Sequence, residues 1–100
     1  MLKVRGIEAT QQRERLFRID EDDRPAPEPA LKLVAFYTRR LLAENELAGN
    51  CRAASDGLLV FELPETDSTY FYDGLVFAAL DAFNNPNKNP TITALRPPDE

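Results

Sequence analysis

The chain has no histidine, no tryptophan and a single cysteine, Cys51, in its 100 residues. Without histidine it lacks the side chain that most often serves as general base, and one thiol can neither close an internal disulfide nor build a zinc site of the usual Cys/His kind. Its four glycines, Gly6, Gly49, Gly57 and Gly74, stand too far apart for a dinucleotide or phosphate-binding loop. The longest apolar run, Leu75 to Leu80, falls well short of the roughly 20 residues that span a bilayer. Lys3, Arg5 and Glu8 interrupt the stretch where an export signal needs a continuous apolar segment. These absences predict a cytoplasmic protein with no catalytic machinery, no metal and no cofactor.

What is present supports an ordered core. Hydrophobic residues make up 43% of the chain, with six Phe and three Tyr among them, which is too apolar for an acidic disordered segment. A chain of this length buries about 65% of its unfolded surface, enough for one domain over residues 1–100. The net charge of −5 is uneven: residues 1–50 balance nine Lys/Arg against nine Asp/Glu, and residues 51–100 carry three against eight. An acidic second half repels phosphate backbones and favours encounter with a basic protein surface.

Leu2 to Ala9 places Val4 and Ile7 among charges, with Gly6 suited to a bulge, and predicts a first strand. Arg13 to Asp20 sets Phe17 and Ile19 on one side and Arg18 on the other, so Thr10, Gln11 and Gln12 would close a hairpin. A helix over Glu8 to Phe17 is the competing reading. Residues 20–29, four acids followed by three prolines, predict a stiff extended loop within the domain. Pro29 opens a helix expected to reach about Ala48 and stop at Gly49. The stripe Leu31, Val34, Ala35, Thr38, Leu41, Leu42 and Asn45 must face the core, while Leu33, Phe36, Ala43 and Leu47 form a second apolar patch beside Arg40.

Asn50 to Ala54 reads as a weak strand, Ser55-Asp56-Gly57 as a turn and Leu58 to Leu63 as the clearest strand. Two readings then diverge. In the first, Pro64 to Asp67 is a hairpin loop into a strand over Ser68 to Tyr72, followed by a helix capped by Asp73 over 74–84. In the second, Thr66 or Asp67 caps a longer helix that contains Gly74. The aromatic run and the cost of about 1 kcal/mol for a helical glycine favour the first. Thr91 to Leu95 is expected as a last edge strand. The sum is an α+β domain, a mainly antiparallel sheet of four to six strands with two helices at about 29–48 and 74–84. A ferredoxin-like strand-helix-strand-strand-helix-strand order is the alternative.

Glu44 with Glu46, and Asp73 with Asp81, fit solvated helix surfaces better than acid–base pairs, and the acidic run at 20–23 lacks the spaced oxygens of a calcium loop. The hairpin reading pairs Phe61 with Tyr70 and Leu59 with Tyr72. Both sheet faces are then apolar, and one needs cover from the N-terminal segment, a second copy or a partner. Strand aromatics can stack nucleic-acid bases, but these stand among acids. Tyr70, Tyr72, Glu62, Asp67 and Asp73 are therefore the candidate surface for a protein partner with a basic face. Leu33, Phe36, Leu47 and Arg40 are the candidate self-association patch of a homodimer.

The expected function is a non-catalytic interaction domain: an inhibitor, adaptor or assembly subunit. In size and charge the chain is similar to small acidic inhibitors encoded by phages and mobile elements, a likeness of composition without a motif. The alternative is a small-molecule-binding or weakly enzymatic domain, with a pocket between sheet and helices and Tyr70, Tyr72 and Glu62 as polar handles. Nucleic-acid binding through Arg13, Arg15 and Arg18 conflicts with the acidic second half.

Overall fold

Period-two alternation in the N-terminal third builds the first strands, in a computed structural model that describes residues 1–11, 13–65 and 69–93. Strands β1 (Leu2–Ala9) and β2 (Glu14–Glu21) pair antiparallel, with a register shift between Val4 and Gly6 that leaves Arg5 on a bulge. The chain then reverses through Asp22 and Asp23, both at positive φ, into the two-residue strand β3 (Arg24–Pro25), so that Glu21 pairs with Arg24. The expected stiff loop at 20–29 is thus a tight hairpin. Aspartate tolerates the left-handed region, and two in succession make the turn that matches strand twist.

Helix α1 (Glu28–Glu44) has Pro27 at its N-cap and Pro29 in its first turn. It stops four residues before the expected end. The amide of Leu47 donates to the Leu42 carbonyl at 2.9 Å and that of Glu46 to Ala43 at 3.1 Å, with Glu46 at φ +55. This is a Schellman closure with glutamate in the position expected for Gly49. Strand β4 (Asn50–Ala53) and β5 (Leu58–Glu62) follow, joined by the anticipated turn, in which Asp56 and Gly57 both take positive φ.

Residues 69–84 form helix α2 (Thr69–Asn84), so Thr69 to Tyr72 is helical and not the expected strand. Gly74 lies within the helix as in the longer-helix reading, whose cap candidates Thr66 and Asp67 lie outside the described residues. The turn of α2 from Tyr72 to Val76 buries Tyr72, Asp73, Leu75 and Val76, and this burial outweighs the cost of about 1 kcal/mol at Gly74. A 3-10 turn (Pro86–Lys88) and the short helix α3 (Pro90–Thr93) complete the described chain. The expected last strand is therefore helical where it is described, and its end at Leu95 lies outside the described residues. Asp81 accepts from Asn85 Nδ2 at 2.9 Å and Asn89 Nδ2 at 3.1 Å, tying this turn to α2. Those two donors, Asn89 first, hold the Asp81 carboxyl below its ordinary pKa.

The sheet has five antiparallel strands in the order β1-β2-β5-β4, with β3 beside β2, and both main helices lie on one face. The fold is α+β, as the pattern predicts. Its order is not ferredoxin-like, because β1, β2 and β3 all precede α1. Phe17, Ile19, Cys51, Leu59 and Phe61 point from the sheet into the core, where they meet Leu31, Val34 and Leu42 of α1 and Tyr72, Val76 and Leu80 of α2. Among the described residues no helix is long and apolar enough to cross a membrane.

The opposite sheet face is not the continuous apolar surface that the hairpin reading implies. Phe61 pairs with Arg15 and Cys51, not with Tyr70. The N-terminal hairpin extends the sheet instead of covering it, and Leu16, Leu58 and Val60 on the outer face sit within a charged lattice. Arg18 meets Glu8 at 3.4 Å, and Arg52 meets Glu62 at 3.4 Å and Glu14 at 3.8 Å. Arg18 stands opposite Leu58 and Arg52 opposite Val60, and Val60 is buried.

Gly57 tests this architecture at its narrowest point. It sits at φ +75, and a Cβ there would lie 2.7 Å from the Ile19 carbonyl oxygen and 3.0 Å from Pro25. Gly57→Ala is expected to lower stability by about 1–3 kcal/mol in urea unfolding, combining a strained φ with a clash against backbone.

Candidate functional site

The rotation of α2 about its axis separates Tyr70 from Tyr72 and Asp73, three residues of the expected partner surface. Tyr72 points inward, its ring edge-on to Phe61 at a centroid separation of 5.9 Å. Asp73 is buried with it. Arg15, on the helix-facing side of β2, donates from Nε to Asp73 Oδ1 at 3.0 Å and from Nη2 to Oδ2, a bidentate pair. Both residues are committed to the interior, so neither can serve a partner in this conformation. Glu62 lies at the end of β5 on the outer sheet face, paired with Arg52 and away from the tyrosines. Asp67 lies outside the described residues.

Of the four that are described, Tyr70 alone is free, at 89% exposure. Its neighbours at the surface stand outside the candidate surface expected from the sequence: Phe71 is 52% exposed and Phe77 48%. Gly74 lies between them on the same exposed helix face. No charged residue stands on that face from Tyr70 to Ala78, since Asp73 is turned inward. The signal for this stripe is the set 70, 74 and 77 at helical spacing, which the strand reading of 68–72 hides.

The expected self-association patch is mostly an internal contact. Leu33 is buried, and with Tyr37, Ala82, Phe83, Pro86 and Thr93 it surrounds a cleft of only about 180 Å³ between α1 and the end of α2. Phe36 and Leu47 are half-buried and packed against the core. Arg40 reaches Glu44 one turn along at 3.9 Å. Helix α1 has apolar residues on two sides because it meets the sheet with one and α2 with the other, which removes the basis for a free surface at Leu33.

Chemically competent groups are few. Three surface clefts, of about 410, 530 and 180 Å³, have none of Tyr70, Tyr72 or Glu62 in their walls. That of about 410 Å³ lies beside the start of α2 between Thr10, Arg13, Arg15 and Pro64. Its arginines are already engaged, Arg13 with Glu65 at 3.3 Å and Arg15 with Asp73. Arg18, the third of the basic group read from the sequence, is paired on the outer face. Among the described residues no group of three His, Cys, Asp or Glu could hold a metal ion. Cys51 is fully buried against Thr38, and burial pushes its thiol up to about 12 against the opposing hydrogen bond of Thr38 and charge of Arg39. No family model matches the chain, and no curated protein or solved structure matches it either.

Three outcomes follow from these placements. Arg15→Met leaves the Asp73 carboxylate buried without its cation and is expected to cost about 2–4 kcal/mol in denaturant unfolding, whereas Arg15→Met with Asp73→Leu recovers most of that loss. Cys51 should resist iodoacetamide in native protein near neutral pH and react on unfolding. Its folded pKa lies above the ordinary value of 9.0, so the unfolded chain releases the thiol proton first. Stability that is fully present below pH 9 should then fall as pH rises toward 12. Alkaline titration of the melting temperature, compared with Cys51→Ala, measures that contribution.

Proposed function

We propose that this chain is a non-catalytic protein-interaction domain of the cytoplasm, an inhibitor, adaptor or assembly subunit that binds a more basic protein through the aromatic start of α2. The observation that carries the reading is the exposure of Tyr70 and Phe71 on a helix that turns Tyr72 into the core between Phe61 and Phe71. Large aromatic side chains with few rotamers contribute most of the affinity in protein interfaces, and a tyrosine hydroxyl keeps such a side chain soluble when free. Glu65, exposed on the segment leading to α2, and the overall charge of −5 favour a basic partner. The small-molecule alternative has less support, because the arginines at the cleft beside α2 already have carboxylate partners.

Tagged protein incubated with lysate of its own host at physiological salt tests this. One stoichiometric partner is expected, retained by the unmodified chain and lost with Tyr70→Ala or Phe71→Ala. Neither variant should change the unfolding midpoint by more than about 0.5 kcal/mol, since both side chains are at the surface. A partner held equally by both variants, or no partner at all, would overturn the assignment of this surface.

A further inference from the structure

Both edges of the sheet carry side-chain caps on their backbone, and the caps are unequal. On β4, Arg39 Nη1 donates to the Cys51 carbonyl at 2.7 Å. On β1, Asn84 serves both backbone groups of Leu2, its Oδ1 accepting from the amide at 2.9 Å and its Nδ2 donating to the carbonyl at 3.0 Å. Among the described residues the rest of β1 has no such cover. Arg13 and Ile19 bond toward β5, through Leu63 N to Arg13 O at 3.0 Å and Ile19 N to Gly57 O at 2.8 Å, so odd-numbered residues of β2 face away from β1. The β1 residues opposite them, Leu2, Val4, Ile7 and Ala9, therefore direct their amides and carbonyls outward. Beyond Leu2 that edge offers Val4, Ile7 and Ala9.

Apolar surface adjoins this edge. Ile7 is 37% exposed although it points toward the helix layer. Phe77 stands two turns before Asn84 on the same side of α2, and the helix runs antiparallel to β1, from Asp73 near Arg15 to Asn84 at Leu2. Seven helical residues cover about 10 Å, or about three strand residues, which places Phe77 over the middle of β1. An added strand would find backbone partners on one side and Phe77 and Ile7 above.

We propose that a second copy of this chain supplies that strand, its β1 pairing antiparallel with β1 across a two-fold axis at Arg5 and Gly6. Charge selects the copy and the register. Lys3 and Arg5 stand before the bulge and Glu8 after it. Setting Val4 opposite the second copy's Ile7 brings two outward-facing residues together and puts Lys3 opposite Glu8, twice by symmetry. A register centred on Val4 would oppose Lys3 with Arg5, and one centred on Ile7 would leave Lys3 and Glu8 without each other. Arg5 is held by its own Asp20 at 3.5 Å, and a Cβ on Gly6 would meet nothing within 4 Å, so the axis is clear of bulk from this chain. The bulges, which deter pairing with a regular strand, coincide at the axis. The dimer borrows Phe77 from the exposed stripe but uses neither Tyr70 nor Phe71, whose substitutions test the partner surface, so the two readings fail by different variants.

Sedimentation equilibrium of the unmodified chain over a range of concentrations, with amide hydrogen exchange at Val4 and Ile7, tests the pairing. A monomer–dimer equilibrium is expected, with exchange at both amides slowing as concentration rises. Lys3→Glu and Glu8→Lys should each weaken the dimer by about tenfold or more, and the two together should restore it. Val4→Pro removes an outward amide without touching the bonds to β2 and should abolish association while circular dichroism stays unchanged. A monomer at every concentration, exchange at Val4 and Ile7 that ignores concentration, or a dimer indifferent to the charge reversals would overturn the proposal. The exchange measurement needs no variant, so it decides the matter even if a substituted chain fails to fold.

Discussion

A guanidinium on the helix-facing side of a sheet is tolerated only where a carboxylate meets it with both oxygens, because an unpaired charge there would be desolvated without compensation. Arg15 of β2 occupies such a position, and Asp73 meets it from the first turns of α2. This pair sets the rotation of α2. With Asp73 fixed over β2, the residue before it, Tyr72, turns onto Phe61, and Val76 and Leu80 follow one and two turns later onto the sheet. Asn84 then arrives at the outer edge of β1, where its amide replaces a neighbouring strand at Leu2. Tyr70 and Phe77, on the other side of the same helix, have nowhere to go but outward.

The same pair explains how much could be read from residues alone. The α+β class, the first hairpin, the turn at Asp56 and Gly57 and the strand after it follow from local alternation and turn chemistry, which act over a few residues. The start of α2 does not. Thr-Tyr-Phe-Tyr has strand propensity, and a glycine follows soon after, so local preference points to a hairpin. The helix prevails through a charge pair that spans 58 residues of sequence and through burial against β5, and neither leaves a trace in periodicity. Likewise α1 ends at a glutamate in the left-handed region although Gly49 is nearby, since the Schellman bonds and the packing of Leu47 decide the position.

The candidate surface was legible only in part, for a related reason. Exposure of an aromatic depends on which way its element is turned, and a two-residue difference in phase exchanges Tyr70 for Tyr72. Reading 68–72 as a strand put both tyrosines on one face. A helix separates them by about 200°, one into the core and one into solvent. The apolar side of α1 at Leu33 misleads in the opposite sense, because a helix between a sheet and a second helix needs two apolar stripes and resembles one with a free patch.

Edge protection ties these features to the charge pattern. A two-layer fold with helices on one face leaves two strand edges and one sheet face to be managed by side chains. The outer face is managed by Arg18 and Arg52, which stand opposite Leu58 and Val60 and pair with Glu8, Glu14 and Glu62. The β4 edge is short and is closed at Cys51 by Arg39. The β1 edge is twice as long as β4, eight residues against four, and among the described residues it is closed only at its first. A bulge and three charges are the remaining deterrents along it, and both are blind to a mate that carries the same bulge in the same place and the same charges in reverse order. Devices that exclude foreign strands thus leave the proposed one unopposed, a second copy related by a two-fold axis.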